Sequence, residues 1–159
     1  MKQEIILALE GRHCLYAGLS RLFFEVPDET LFATLSSGAM LSTCVMLDDG
    51  MREGADDASR AWDRFACAAE GMRVETAVGE FTRLFVGPGK LPVPPWESVF
   101  VTGERLLFQR STLEVREAFQ REGVVAQGAP HVAEDSLATE LGFMVVLAEG
   151  SCRAAEQDD

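Results

Sequence analysis

From Gln3 to Val26 the apolar residues recur at helical spacing. Ala8, Leu15, Leu19, Leu22 and Val26 fall near one stripe, and Tyr16 and Phe23 reinforce it; a repeat near 3.6 residues marks an amphipathic helix. Pro27 stops that helix, because proline lacks the N–H that would continue the ladder. Asp28 is a good N-cap for a second helix, with Glu29 in its favourable first turn. Leu31, Phe32 and Leu35 form the buried face of that shorter helix, and Ser36-Ser37-Gly38 ends it. Met40 to Leu47 is an apolar run that periodicity alone reads equally as helix or strand, closed by a turn at Asp48-Asp49-Gly50.

Asp56 or Asp57 then caps a helix carrying Ala58, Trp62, Phe65, Ala69 and Met72, broken near Gly71. Val74, Val78, Phe81 and Phe85 make the next stripe, which Gly87-Pro88 terminates. The segment from Pro88 to Pro95 holds four of the six prolines and is expected to be an ordered loop anchored by Leu91, Val93 and Trp96. Thr102 is placed to cap a helix from Gly103 to about Arg121, with Phe108, Thr112, Val115 and Phe119 in line. After a connector from Gly123 to Pro130 comes a helix over Glu134 to Glu149, apolar on nearly all sides and therefore expected to be deeply buried. The pattern predicts an all-α, single-domain bundle of about seven helices. The helical domain runs over 1–150, and 151–159 is a polar tail.

The length of 159 residues suits one domain, and 47% apolar residues with ten Phe and two Trp supply its core. A net charge of −12 argues against nucleic acid as a partner, since phosphate binding needs clustered Lys and Arg. It favours a basic partner, with a reach of about 8 Å at physiological salt. Cys14, Cys44, Cys67 and Cys152 are scattered without a C-x-x-C pair, as expected of free thiols in a reducing cytoplasm. The run from Ile5 to Leu9 is too short and too closely followed by charge for a secretory leader. No apolar run reaches the roughly 18–20 residues of a membrane span, so no stable membrane insertion is expected.

Candidate chemistry is sparse. His13 and Cys14 are neighbours that point in different directions on a helix, and His131 is far along the chain, so no metal site is expected. Gly87-Pro88-Gly89-Lys90 is too short and too proline-bound for a phosphate loop. No catalytic constellation and no cofactor are predicted. The informative stretch is Glu80-Phe81-Thr82-Arg83-Leu84-Phe85-Val86-Gly87-Pro88-Gly89 followed by Pro94-Pro95-Trp96-Glu97-Ser98-Val99-Phe100. A stiff loop loses little entropy when a partner docks, and its Trp is either a peptide anchor or a plug in the core.

These residues resemble the signature of the TorD/DmsD-type chaperones, the maturation proteins of molybdenum-containing oxidoreductases. Glu134-Asp135-Ser136-Leu137-Ala138-Thr139-Glu140-Leu141-Gly142-Phe143-Met144 is similar to their second signature, and Tyr16 to Phe23 with Pro27-Asp28-Glu29 to their first helix and turn. The resemblance implies an all-helical cytoplasmic chaperone, not an enzyme. Its partner would be the twin-arginine leader and apo-form of a molybdoenzyme during cofactor insertion. It also implies that Trp96, Glu97, Ser98, Asp135, Ser136 and Glu140 bind the client, while Gly87, Pro88, Pro94 and Pro95 shape the loop. Ser136 stands where the family carries histidine and Ala133 where it carries proline, so a role needing an imidazole is not carried over. Relatives continue with further helices beyond the second signature, and an uncovered apolar last helix would suit a homodimer. The competing classes are a nucleotide-binding protein or enzyme using the same acidic groove, and a structural assembly subunit of a reductase complex.

Overall fold

A computed structural model describes residues 2–35, 37–49, 57–129 and 131–157. They form eight α-helices: α1 (Lys2–Phe24), α2 (Glu29–Leu35), α3 (Gly38–Asp49), α4 (Asp57–Glu70), α5 (Val74–Phe81), α6 (Glu97–Thr102), α7 (Arg110–Arg121) and α8 (Leu137–Gln157). No strand occurs among the described residues, and the all-α expectation holds. No helix there is long and apolar enough to cross a membrane.

Two layers meet on α1. On one side Leu31 and Leu35 of α2, Met40 and Cys44 of α3 and Trp62 of α4 form the buried core, and Cys14, Leu15, Leu19 and Leu22 of α1 pack against it. The Trp62 indole N–H donates to the Leu35 carbonyl at 2.9 Å, so burying its polar edge costs little. Gly18 permits this approach: a Cβ there would lie 2.8 Å from Met40 Cε and 3.2 Å from Leu35 Cδ2. On the other side α1 packs antiparallel to α8. Ser20 Oγ donates to the Ala138 carbonyl at 2.8 Å near one end of the pair, and Lys2 Nζ to the Glu156 carbonyl at 3.2 Å near the other.

Asp28 caps α2 as its sequence predicts, its Oδ1 accepting the Leu31 N–H at 2.6 Å. The ambiguous run from Met40 to Leu47 is helix, and Asp48 and Asp49 belong to it. α4 opens at Asp57 and ends at Glu70, before Gly71. Ser36, Gly50, Asp56 and Pro130 lie outside the described residues. The stripe from Val74 to Phe85 is α5 followed by a single π-helical turn over Thr82–Val86, closed where the Gly87 N–H donates to the Thr82 carbonyl at 2.9 Å. Gly87 has φ 97°, a conformation that suits glycine, which is why the helix stops there.

Several expectations are corrected. Thr102 does not open a helix over 103–121; it closes α6, whose C-terminus turns at left-handed Gly103 (φ 73°). α7 begins only at Arg110, and Phe108, expected on its buried stripe, sits in the preceding loop at φ 59°. The last helix does not start at Glu134, because Glu134 and Asp135 are turned inward ahead of it and Ser136 Oγ accepts the Thr139 N–H as the cap. That helix runs past Glu149 to Gln157, so residues 151–157 of the expected tail are helical. Nor is it deeply buried: Ala138 and Ala148 are its buried residues, while Leu137 and Met144 are exposed.

Candidate functional site

The proline loop is fastened to the start of α8 by backbone pairing. The Glu97 N–H donates to the Asp135 carbonyl and the Leu137 N–H to the Pro95 carbonyl, each at 2.8 Å, as in an antiparallel bridge between Trp96 and Ser136. Pro94 and Pro95 have no N–H to donate, so the loop enters the bridge through the Pro95 carbonyl and the Glu97 N–H. Trp96 occupies the N-cap position of α6 but offers its N-terminus no side-chain acceptor. Asp135 supplies one from across the fold, its Oδ2 accepting the Ser98 N–H at 2.9 Å. Behind this joint Arg116 of α7 makes a two-pronged ion pair with Glu134, at 2.6 and 2.9 Å. The Glu134 carboxyl is held below its ordinary value by that guanidinium, although burial works against it.

In front of the joint lies a groove of about 430 Å³. Phe23 comes from α1, Leu84 and Phe85 from the π-helical turn, Val93 to Trp96 from the loop, Phe100 from α6 and Leu137 from α8. The walls are stiff: Phe23 meets Phe85 edge-on at 5.8 Å between centroids, and Phe81 backs Phe85 at 5.3 Å. Two carboxylates, Glu97 and Glu140, enter this apolar lining, and among the described residues no cation does. The Glu140 carboxyl is pushed up to about 7, first by burial and then by the charges of Glu97 and Asp135.

The residues singled out from the sequence separate into two groups. Pro94, Pro95, Trp96, Glu97 and Glu140 line the groove. Ser98 and Asp135 are wholly buried and Ser136 caps α8, so these three sit behind its wall. Gly87 and Pro88 line a separate depression with Arg83 and Lys90. Trp96 is half-buried and faces two depressions at once, so it is a partition rather than a core plug. Phe23, Leu84, Phe85, Phe100 and Leu137 were not anticipated as site residues. Leu84, Phe85, Phe100 and Leu137 lie within the two signatures, which was an available signal; Phe23 closes the first-helix resemblance, but nothing in the sequence tied it to the loop it meets.

The family model described as nitrate reductase delta subunit matches residues 48–159, a span that includes α4 to α8 and most of this groove. The chain belongs to the nitrate reductase delta subunit family. The TorD/DmsD-type resemblance of the two signatures is thereby shown. A probable Tat proofreading chaperone DmsD of Haemophilus influenzae is 34% identical over 70 residues, 44% of this chain and 34% of that protein. The Tat proofreading chaperone DmsD of Salmonella typhimurium is 39% identical over 67 residues, covering 42% and 33%. The match spans about a third of the length of these relatives. In fold, this family member is similar to a crystal structure from Archaeoglobus fulgidus assigned to redox enzyme maturation. Its TM-score is 0.53 at 21% identity, over 87% of this chain and 72% of the other.

Proposed function

We propose that the chain is a chaperone for a redox enzyme precursor. Its groove holds the twin-arginine leader of an apo molybdenum-containing oxidoreductase, on the cytoplasmic side, while the enzyme's cofactor is inserted. The observation that carries this reading is the groove itself: aromatic and proline walls broken by two carboxylates, in a chain of net charge −12. A leader of that type joins arginines to an apolar segment, and the groove offers a complement to each. The relatives named as Tat proofreading chaperones support it, as do the two signatures that build the loop and the start of α8. Trp96, Glu97 and Glu140 contact the leader in this reading, and Asp135, Ser98 and Ser136 hold the wall in place. The protein acts by binding and not by catalysis.

Titration calorimetry with a synthetic twin-arginine leader tests the reading. Trp96→Ala is expected to weaken binding by about 2 kcal/mol, since a large aromatic anchor in a stiff wall carries that much. Affinity is expected to fall as salt rises, because arginines meet carboxylates across an open groove. Full affinity in folded Trp96→Ala overturns the reading. The description of the family as a reductase subunit favours a second reading, an assembly subunit, which a stable complex with the mature enzyme would support. The exposed Leu137 and Met144 suit the expected self-association, and sedimentation of the purified chain tests it.

A further inference from the structure

Within the groove the two carboxylates stand apart from everything else that lines it. Glu97 comes from the first turn of α6 and Glu140 from the first turn of α8, two elements joined by the Trp96–Ser136 bridge. The bridge fixes the spacing of the two backbone segments that carry them, through two backbone hydrogen bonds. The groups facing Glu140 are of two kinds. Charge comes from Glu97 on α6 and from Asp135 in the turn ahead of α8. The lining residues from α1, the π-helical turn and the proline loop are all uncharged: Phe23, Leu84, Phe85 and Val93 to Trp96. No described lining residue is cationic, so no side chain of the groove neutralises the pair.

We propose that Glu97 and Glu140 form the subsite for one cationic side chain of the bound peptide, arginine or lysine flanked by apolar residues, and that its entry expels a proton from Glu140. This deepens the leader-binding reading and rests on it. Glu140 lies in an apolar wall beside the charges of Glu97 and Asp135, which makes its ionised form costly. The Glu140 carboxyl accordingly sits near 7 in the free protein and is about half protonated at neutral pH. A guanidinium or ammonium docked between the pair reverses the balance and favours the ionised form. Binding and proton release are then the same event, and acid weakens the complex by returning the proton. The apolar walls take the flanking residues in either state, so the proton controls the charged part of the contact and leaves the rest.

The test is calorimetry of the full chain with a synthetic twin-arginine leader at pH 6, 7 and 8, in two buffers of different ionisation heat. A carboxyl near 7 gives release of about one proton per peptide at pH 6, falling toward none at pH 8, and affinity about tenfold weaker at pH 6 than at pH 8. Both effects disappear in Glu140→Gln and with a leader whose arginines are replaced by citrulline, while residual binding through the walls persists. Circular dichroism verifies that the variant is folded. Leader binding without proton release, or a pH dependence that survives in Glu140→Gln, overturns the subsite and leaves the leader reading standing. Absence of binding at every pH overturns both.

Discussion

Replacing Glu140 by Gln is expected to make the protein more stable, and only at neutral and alkaline pH. In the folded chain the Glu140 carboxyl is raised from an ordinary 4.5 to about 7, by burial first and then by Glu97 and Asp135. An acid raised in this way binds its proton more tightly folded than unfolded. Between those two values the folded state therefore holds more protons, and stability falls as pH rises through the window. Below about pH 4.5 both states are protonated and the penalty is absent. Taken in full, the gap corresponds to about 3 kcal/mol above pH 7. Glu140 is only partly buried and its groove is open to water, so screening reduces this to about 1–2 kcal/mol. Gln keeps the shape and removes the charge. Urea unfolding followed by circular dichroism should show Glu140→Gln matching the parent near pH 4. At pH 8 its midpoint should be higher by about 0.5–1 M, for a slope of about 2 kcal/mol per M. Equal midpoints at pH 8 would refute the argument, since they would mean that the groove does not disfavour the charge. A gain in stability on removing a groove residue is what a site that gives up stability for binding should show.

Arg116→Met should cost about 3 kcal/mol in the same assay, because it strands Glu134, whose side chain is 2% exposed, while Arg116 itself is 29% exposed. The double variant with Glu134→Leu should recover most of that loss, and the pair's contribution should vanish as pH falls below the depressed Glu134 value. Asp135→Ala should cost about 2 kcal/mol through the lost acceptor for the Ser98 N–H and the space left behind, and should weaken leader binding, whereas Asp135→Asn retains the acceptor. Gly18→Val should cost about 2 kcal/mol, read as a drop in thermal midpoint, because its side chain meets Met40 and Leu35 at distances already too short for a Cβ.

The parts of the fold legible in the sequence are those set by neighbours along the chain. Pro27 with Asp28, Gly71 and Gly87 each mark a helix end through their own backbone chemistry, and each boundary falls close to where it was read, although α1 ends at Phe24 rather than Val26 and α4 stops short of Met72. The break between α6 and α7 was not legible, because Phe108, Thr112, Val115 and Phe119 keep helical spacing across it. What ends the regularity is Gly103 in a left-handed turn, and what starts α6 is a carboxylate 37 residues further on. The inward turn of Glu134 was hidden for the same reason: its partner Arg116 lies 18 residues earlier, on another helix. The candidate site divides likewise. The signatures pointed to Trp96, Glu97 and Glu140, which line the groove, but Phe23 and Phe85 meet there only because α1 and the π-helical turn converge. A long-range contact of that kind has no periodicity to announce it.

Whether the leader occupies this groove can be read by photocrosslinking from two positions. A benzophenone side chain is placed in turn at Phe100, 68% exposed on the groove wall, and at Val125, 77% exposed beside the clefts along α7. With a labelled twin-arginine leader, position 100 should crosslink strongly and position 125 at background, and excess unlabelled leader should abolish the product. Crosslinking from 125 with none from 100 would place the peptide elsewhere and contradict the account.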